Sequence, residues 1–263
     1  VGYSTLMDNT TGDSNVAVGY DALTNATTAD YNVAIGIEAL KANTTGDRNV
    51  AIGKGAMETN TVGDRNTAVG VGALTTYNPS SNEDSYNTAI GYNAAASTTT
   101  GRQLTAIGAL ALNANTSGIN NTAVGWNALL TATTADNNIA IGNYALQACT
   151  TGPQNIAIGY QAGYATTTGQ RNVVIGNFAL DAATTADYSV AIGYNALTAV
   201  TTVNANTAVG YKALEDCNTG PDNTAVGSYA LTNVTEGYSN TAIGDNAGDG
   251  LTSGDNNTFL GEK

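Results

Sequence analysis

One short alternation of apolar and small residues recurs along the whole chain. Each copy places β-branched or aliphatic residues on both sides of an alanine and then adds a glycine, as in Val16-Ala17-Val18-Gly19. We count positions within a copy from that glycine, position 0, so that Ala17 is at −2. The alternation predicts a five-residue β-strand with an apolar face at −3 and −1 and a small-residue face at −2 and 0.

The spacing of these glycines predicts a solenoid. Sixteen of them run from Gly2 to Gly261; fourteen of the fifteen intervals are 17 residues, and the interval from Gly70 to Gly91 is 21. A unit of 17 is too short for paired-helix repeats or propeller blades but suits one coil of a β-solenoid. The expected fold is therefore all-β: a β-solenoid (β-roll) of about fifteen 17-residue coils, each with two short strands and two turns.

The same regularity predicts how the chain is divided. We expect residues 1–263 to form a single continuous repeat array, because a uniform period leaves no place for a domain boundary. We also expect this array to be a segment of a longer fibre. Residues 71–91 form the one coil with a four-residue insertion. Its Pro79 and polar residues predict an outward loop, and Asn82 and Glu83 in it are candidate surface contacts.

Asparagine recurs at position −4, in thirteen of the fifteen coils. Identical amides stacked in register bond to one another along a fibre axis, as in cross-β ladders. The sequence therefore predicts a structural asparagine ladder. Its representative members are Asn15, Asn32, Asn49, Asn66, Asn121 and Asn155.

The small-residue face has two explanations that the sequence leaves open. Alanine and glycine either fit the interior of a thin coil, or they form the face where neighbouring chains meet in an oligomer. The second explanation makes them an inter-chain contact. The residues concerned are Ala17, Gly19, Ala34, Gly36, Ala123 and Gly125.

Composition and charge argue against several functions. The net charge of −13 disfavours nucleic acid and anionic membranes as partners. The sequence has no run of 18 apolar residues, so we expect no membrane-embedded segment. The chain has no histidine and no phosphate-binding or nucleophile motif, so we expect no enzyme, no cofactor and no metal. Aspartate recurs at −6, but without the glycine-rich calcium-roll pattern, which favours turn capping over calcium binding.

The two cysteines, Cys149 and Cys217, lie four coils apart at the same repeat position, +7. Four coils of a solenoid span roughly 19 Å, whereas a disulfide needs Cα atoms within about 7 Å. The pair is therefore not expected to bond within one chain. Buried thiols, or pairing between chains of an oligomer, are the alternatives.

Aromatic residues recur at +1, directly after the glycine. Such rings suit stacking on a glycan or contact with a protein, although they also suit stacking on one another between coils. The candidate contacts are Tyr20, Tyr92, Trp126, Tyr160, Tyr194 and Tyr211.

The cores "NVAIG", "NIAIG" and "NTAIG" resemble the head repeats of trimeric autotransporter adhesins, the YadA-like β-roll, and the repeats of phage tail-fibre proteins. The resemblance implies a homotrimeric fibre with three-fold symmetry on the outside of a bacterium or virion, which attaches to a glycan or cell-surface receptor. The repeat here is longer than that of the adhesin heads, which favours the tail-fibre branch.

The alternative function is a monomeric β-solenoid ice-binding protein. Threonine at +8 in thirteen of fifteen coils suggests it. The two threonines are adjacent, however, rather than separated by one residue, so their hydroxyls do not form two ranks on one flat strand face.

Overall fold

The computed structural model describes residues 1–262, and the chain forms two compact units, Val1–Ala135 and a second that starts at Asp136. Each unit is a parallel β-solenoid, and no helix occurs among the residues described. The predicted all-β solenoid with coils of about 17 residues is confirmed. Each coil from Val16 onward carries one three-residue strand, at positions −3 to −1.

The strands follow one another in chain order. The first unit contains β1 (Val16–Val18), β2 (Val33–Ile35), β3 (Val50–Ile52), β4 (Thr67–Val69), β5 (Thr88–Ile90), β6 (Thr105–Ile107) and β7 (Thr122–Val124). The second contains β8 (Ile139–Ile141), β9 (Ile156–Ile158), β10 (Val173–Ile175), β11 (Val190–Ile192), β12 (Thr207–Val209), β13 (Thr224–Val226), β14 (Thr241–Ile243) and β15 (Thr258–Leu260).

Within each unit, every strand pairs in parallel with the next strand along the chain. Val16 of β1 lies opposite Val33 of β2, one 17-residue period later. The register survives the longer coil, because Thr67 of β4 lies opposite Thr88 of β5. Identical repeat positions are thus stacked into columns, and the four additional residues are absorbed outside the sheet.

The prediction of two strands in each coil, one of them five residues long, was wrong. The backbone after the strand turns repeatedly: Gly19 has φ 136°, and Asp21 and Leu23 are in the left-handed region at 52° and 53°. Hydrogen bonds between coils continue there without extended chain. The N–H of Asp21 donates to the carbonyl of Tyr3 in the preceding coil (3.0 Å), and that of Leu23 to Ala39 in the following coil (2.9 Å).

The core of each unit is a narrow stack of alanine and leucine columns. Ala22 and Leu23, at +3 and +4, are fully buried, and the same holds at Ala39 and Leu40 one coil later. A leucine in the left-handed region is strained by roughly 1–2 kcal/mol, which burial of its side chain, worth about 1.5–3 kcal/mol, offsets. Gly163, with φ 60°, occupies the same position without that strain and without that burial.

Two features require glycine at position 0: its positive φ, and the close approach of the backbone of the next coil. Gly159 has φ 137°, and a Cβ there would lie 2.7 Å from the carbonyl carbon and oxygen of Gly176 in the next coil. A side chain at this position would push adjacent coils apart. A Cβ on Gly250, by contrast, would meet no atom within 4 Å.

We predict that Gly159→Ala lowers the free energy of unfolding by about 2–4 kcal/mol, because it adds strain and a backbone clash. Gly250→Ala is the matched control and is expected to change it by less than about 0.5 kcal/mol. Urea unfolding followed by circular dichroism measures both. Equal midpoints for the two variants would contradict the close-approach explanation.

Candidate functional site

The outer face of the strands is an apolar column in both units. Position −1 is valine or isoleucine in every coil up to Ile243, and Leu260 takes it in the last. None of these side chains is buried: Ile35, Ile158 and Ile175 are 36–38% exposed. The column is Val18, Ile35, Ile52, Val69, Ile90, Ile107 and Val124 in the first unit, and Ile141, Ile158, Ile175, Ile192, Val209, Val226, Ile243 and Leu260 in the second.

Alternation along the strand explains this exposure. The alanine at −2 points into the coil, so its neighbours at −3 and −1 point outward. Val, Ile or Thr at −3 flank the −1 column, as Val33 flanks Ile35. Position −3 is threonine in eight of the fifteen coils, so the apolar part of this face is the −1 column, which we call the apolar stripe. It is about 30 Å long in each unit.

The alanines considered for an inter-chain contact lie inside their own chain. Ala34 and Ala123 are fully buried and Ala17 is 7% exposed. A buried side chain cannot touch another chain, so the inter-chain explanation is corrected for these residues.

The glycines of the same face are explained within the chain as well. A Cβ on Gly19 would lie 2.5 Å from the carbonyl oxygen of Gly36, and one on Gly36 would lie 2.6 Å from that of Gly53. Gly125 has the same positive φ, 136°. The small residues therefore allow coils to approach one another.

The asparagines at −4 form a hydrogen-bonded ladder inside the coils. Asn49 Oδ1 accepts from the backbone N–H of Asn66 (3.0 Å) and from its Nδ2 (3.1 Å), and Asn49 Nδ2 donates to the Gly63 carbonyl (2.8 Å). Each amide thus satisfies backbone groups that the turn leaves unpaired. Asn15 is half-buried, and the other five candidates are buried: Asn32, Asn49, Asn66, Asn121 and Asn155.

The aspartates at −6 cap the turns between coils. The N–H of Asp30 donates to Asp47 Oδ1 (2.7 Å), and the N–H of Asp47 donates to Asp64 Oδ1 (2.7 Å). Burial raises the pKa of Asp64 above its ordinary 3.8. In the second unit an amide takes the same role, since the N–H of Asp187 donates to Asn204 Oδ1 (2.7 Å). Within residues 1–262 no three His, Cys, Asp or Glu side chains are grouped so as to hold a metal.

The threonines at +8 are bonded along the axis. Thr27 Oγ1 donates to the carbonyl of Thr44 (3.2 Å), and Thr44 Oγ1 donates to that of Thr61 (3.0 Å). These hydroxyl protons are therefore used inside the chain.

The cysteines are buried free thiols, as one of the two alternatives predicted. Cys149 Sγ donates to the Gly152 carbonyl (3.3 Å), and Cys217 Sγ donates to that of Gly220 (3.2 Å). Asparagine at +7 makes the equivalent bond in other coils: Asn43 Nδ2 donates to the Gly46 carbonyl (2.9 Å). Burial raises the pKa of both thiols to about 11, which keeps them protonated and unreactive.

The long coil forms a loop that is tied down at both ends. Tyr77 is fully buried and its hydroxyl bonds to Ser85 Oγ, and burial raises its pKa to about 12. Glu83 pairs with Arg102 (3.6 Å), whereas Asn82 at the tip is exposed.

The aromatic candidates at +1 are all exposed, but their contacts with other rings differ between the two units. In the first unit Tyr20 stacks on Tyr3 with ring centroids 5.5 Å apart, and Tyr92 and Trp126 are 58% and 46% exposed. In the second unit, the structure brings the other three candidates together in one row of contacting rings. Those three are Tyr160, Tyr194 and Tyr211.

That row contains rings that the sequence prediction missed. Tyr144, Phe178 and Tyr229 lie at +2, and each contacts a +1 ring of an adjacent coil. Counting +1 alone conceals the row. Counting either +1 or +2 reveals, within the second unit, an aromatic residue in six consecutive coils, from Tyr144 to Tyr229.

The comparisons with known proteins identify no family. No protein-family model, curated protein or solved structure matches the chain. The resemblance to adhesin heads and tail-fibre repeats thus remains a prediction from the short repeated motif. Among residues 1–262 there is no helix long and apolar enough to cross a membrane.

We predict that Asn49→Ala lowers the free energy of unfolding by about 1–3 kcal/mol, because it leaves the buried backbone N–H of Asn66 without an acceptor. The Gly63 carbonyl keeps its bond from Asn60 Nδ2 (3.1 Å). Asn25→Ala, at an exposed asparagine, is expected to have little effect. Thermal and urea unfolding compare the two. A loss of similar size in both variants would contradict the ladder's role.

We predict that Asp64→Asn stabilises the chain at pH 7 and that its advantage disappears below about pH 4. The raised pKa means that the ionised carboxylate destabilises the folded state above that pKa; the cost vanishes as the pH falls through it towards 3.8. Asp64→Ala also removes the charge but leaves the N–H of Asp47 unpaired, which costs about 1–3 kcal/mol. Melting temperatures from pH 3 to pH 8 test this, and an advantage of Asn that is constant across that range would refute it.

Proposed function

We propose that the chain is a non-enzymatic segment of an attachment fibre on the surface of a bacterium or virion, assembled as a homotrimer. The observation that carries the proposal is the apolar stripe at −1. A continuous row of exposed and half-buried valine and isoleucine side chains on one face of a chain favours a partner along its length. A second and third copy of the same chain offer matching columns with the same period.

The chemistry of the chain supports a mechanical role. Coils that are held to one another by backbone hydrogen bonds form a stiff support, and the cysteines and Tyr77 are held in neutral, unreactive forms by burial. The outward side chains at +1 and in the loop of the long coil remain for contact with a receptor. The fibre thus supplies reach and rigidity, and its outer surface supplies attachment to a glycan or cell-surface receptor.

Light scattering on the purified chain tests the trimer. We expect a mass about three times the 26.5 kDa of one chain. The double variant Ile158→Glu/Ile175→Glu places carboxylates in the stripe and should return the mass of one chain with an unchanged circular dichroism spectrum.

The matched control for that variant is Thr168→Glu/Thr185→Glu, which adds the same charges to exposed positions away from the stripe. This control should remain trimeric. A native chain that is monomeric would refute the trimer, and thermal hysteresis in such a monomer would favour ice binding instead. Saturable adsorption of the labelled chain to cells in a cell-surface screen tests attachment.

A further inference from the structure

A row of aromatic rings runs along the second unit, one ring in each of six consecutive coils. We call it the aromatic ladder: Tyr144, Tyr160, Phe178, Tyr194, Tyr211 and Tyr229. The centroids of successive rings are 5.2–6.1 Å apart. The ladder is therefore unbroken, with one ring for each step of the solenoid.

Four of the six rings of the ladder are exposed, and Tyr144 and Phe178 are half-buried. Tyr194 and Tyr211 are both 44% exposed, and Tyr160 and Tyr229 are 41% and 37% exposed. Four of the five contacts are edge-to-face, with interplanar angles of 74–85°. In such a pair the ring that points its edge at its neighbour keeps both of its own faces clear of that neighbour. The ladder thus retains ring faces for a ligand.

A polar side chain accompanies every ring. In each of the six coils one of positions +1 and +2 is aromatic and the other is polar. The accompanying residues are Asn143, Gln161, Asn177, Asn195, Lys212 and Ser228. Two of the amides also bond within the chain: Asn177 Oδ1 accepts from the N–H of Tyr160 (2.9 Å), and Asn195 Nδ2 donates to Glu215 Oε1 (3.2 Å). Rings that pack on the C–H faces of a sugar, beside amides that bond its hydroxyls, are the chemistry that recognises carbohydrate. A protein partner would require neither this pairing nor its repetition at every step.

Charge around the ladder selects the kind of carbohydrate. Lys212 is the one basic residue among the accompanying side chains and is paired with Glu215 at 3.0 Å. Arg171, at −5 in the coil of Phe178, donates to the hydroxyl of Tyr188 (2.6 Å). The whole chain carries −13. An acidic polysaccharide would therefore meet repulsion, whereas a neutral one would not.

We propose that the aromatic ladder binds a neutral, extended oligosaccharide lying along the solenoid axis. A pyranose ring is similar in length to one step of the solenoid, so consecutive sugars meet consecutive coils. This proposal rests on the proposed attachment function and names the receptor chemistry of its outer surface. Tyr144, Phe178 and Tyr229 at +2 are as much part of the site as the rings at +1.

Isothermal titration with cellohexaose and chitohexaose tests the proposal, with polygalacturonate as the anionic probe. The native chain should bind at least one neutral hexasaccharide, and Tyr194→Ala/Tyr211→Ala should weaken that binding at least about tenfold. The matched control is Tyr188→Ala/Tyr238→Ala, which removes two exposed rings of the same unit outside the ladder, and it should bind as the native chain does. If the alanine pair is poorly folded by circular dichroism, Tyr194→Leu/Tyr211→Leu keeps apolar bulk while removing the rings.

Three results would overturn the proposal: no binding of either neutral hexasaccharide, tighter binding of polygalacturonate, or an equal loss in the control pair. The outcome is separable from that of the proposed function. A chain that trimerises and adsorbs to cells yet binds neither neutral sugar refutes the ladder alone. A monomeric chain that binds hexasaccharide through these rings refutes the trimer alone.

Discussion

Everything in each unit depends on how closely one coil approaches the next. The strands pair in parallel at positions −3 to −1, and the turns then continue the bonding by donating alternately to the preceding and the following coil. This approach is possible only because glycine occupies position 0, where a Cβ would meet the carbonyl of the adjacent coil. Every column must stay in register for these bonds to form, and the coil from Gly70 to Gly91 keeps that register by placing its four additional residues outside the sheet.

The same constraint determines what the interior contains. A coil with one three-residue strand is thin, so alanine fills most inward positions. Position +4 is leucine or methionine in most coils. Polar side chains enter the interior where the backbone needs them: Asn49 and its counterparts satisfy turn amides and carbonyls, and the cysteines at +7 do the same with weaker donors. Burial of polar groups is thus part of what holds the coils in register.

With the interior committed to packing, the outer columns are the side chains that stay exposed. The strand face has valine, isoleucine or leucine at −1 in every coil, while +1 and +2 vary between aromatic, amide and charged residues. A uniform apolar column suits a partner with the same period, namely another copy of the chain. The variable columns suit recognition, and in the second unit the rings at these positions form one continuous row. The proposed oligomer contact and the proposed receptor contact therefore use different positions of the same coils.

The sequence by itself determined the solenoid, its 17-residue period, the position of each strand, and the stacking of identical residues. These follow from the repeat, because parallel pairing at one period puts Val16 beside Val33 whatever the shape of the coil. The tertiary structure decided which face points inward and how many strands a coil has. Left-handed backbone at Leu23 and its counterparts is not readable from residue type, since leucine disfavours it and burial of the side chain offsets the strain there. For the same reason only the structure showed that rings at +1 and +2, such as Phe178 and Tyr194, meet in one row, because their contact depends on how the turn directs each side chain.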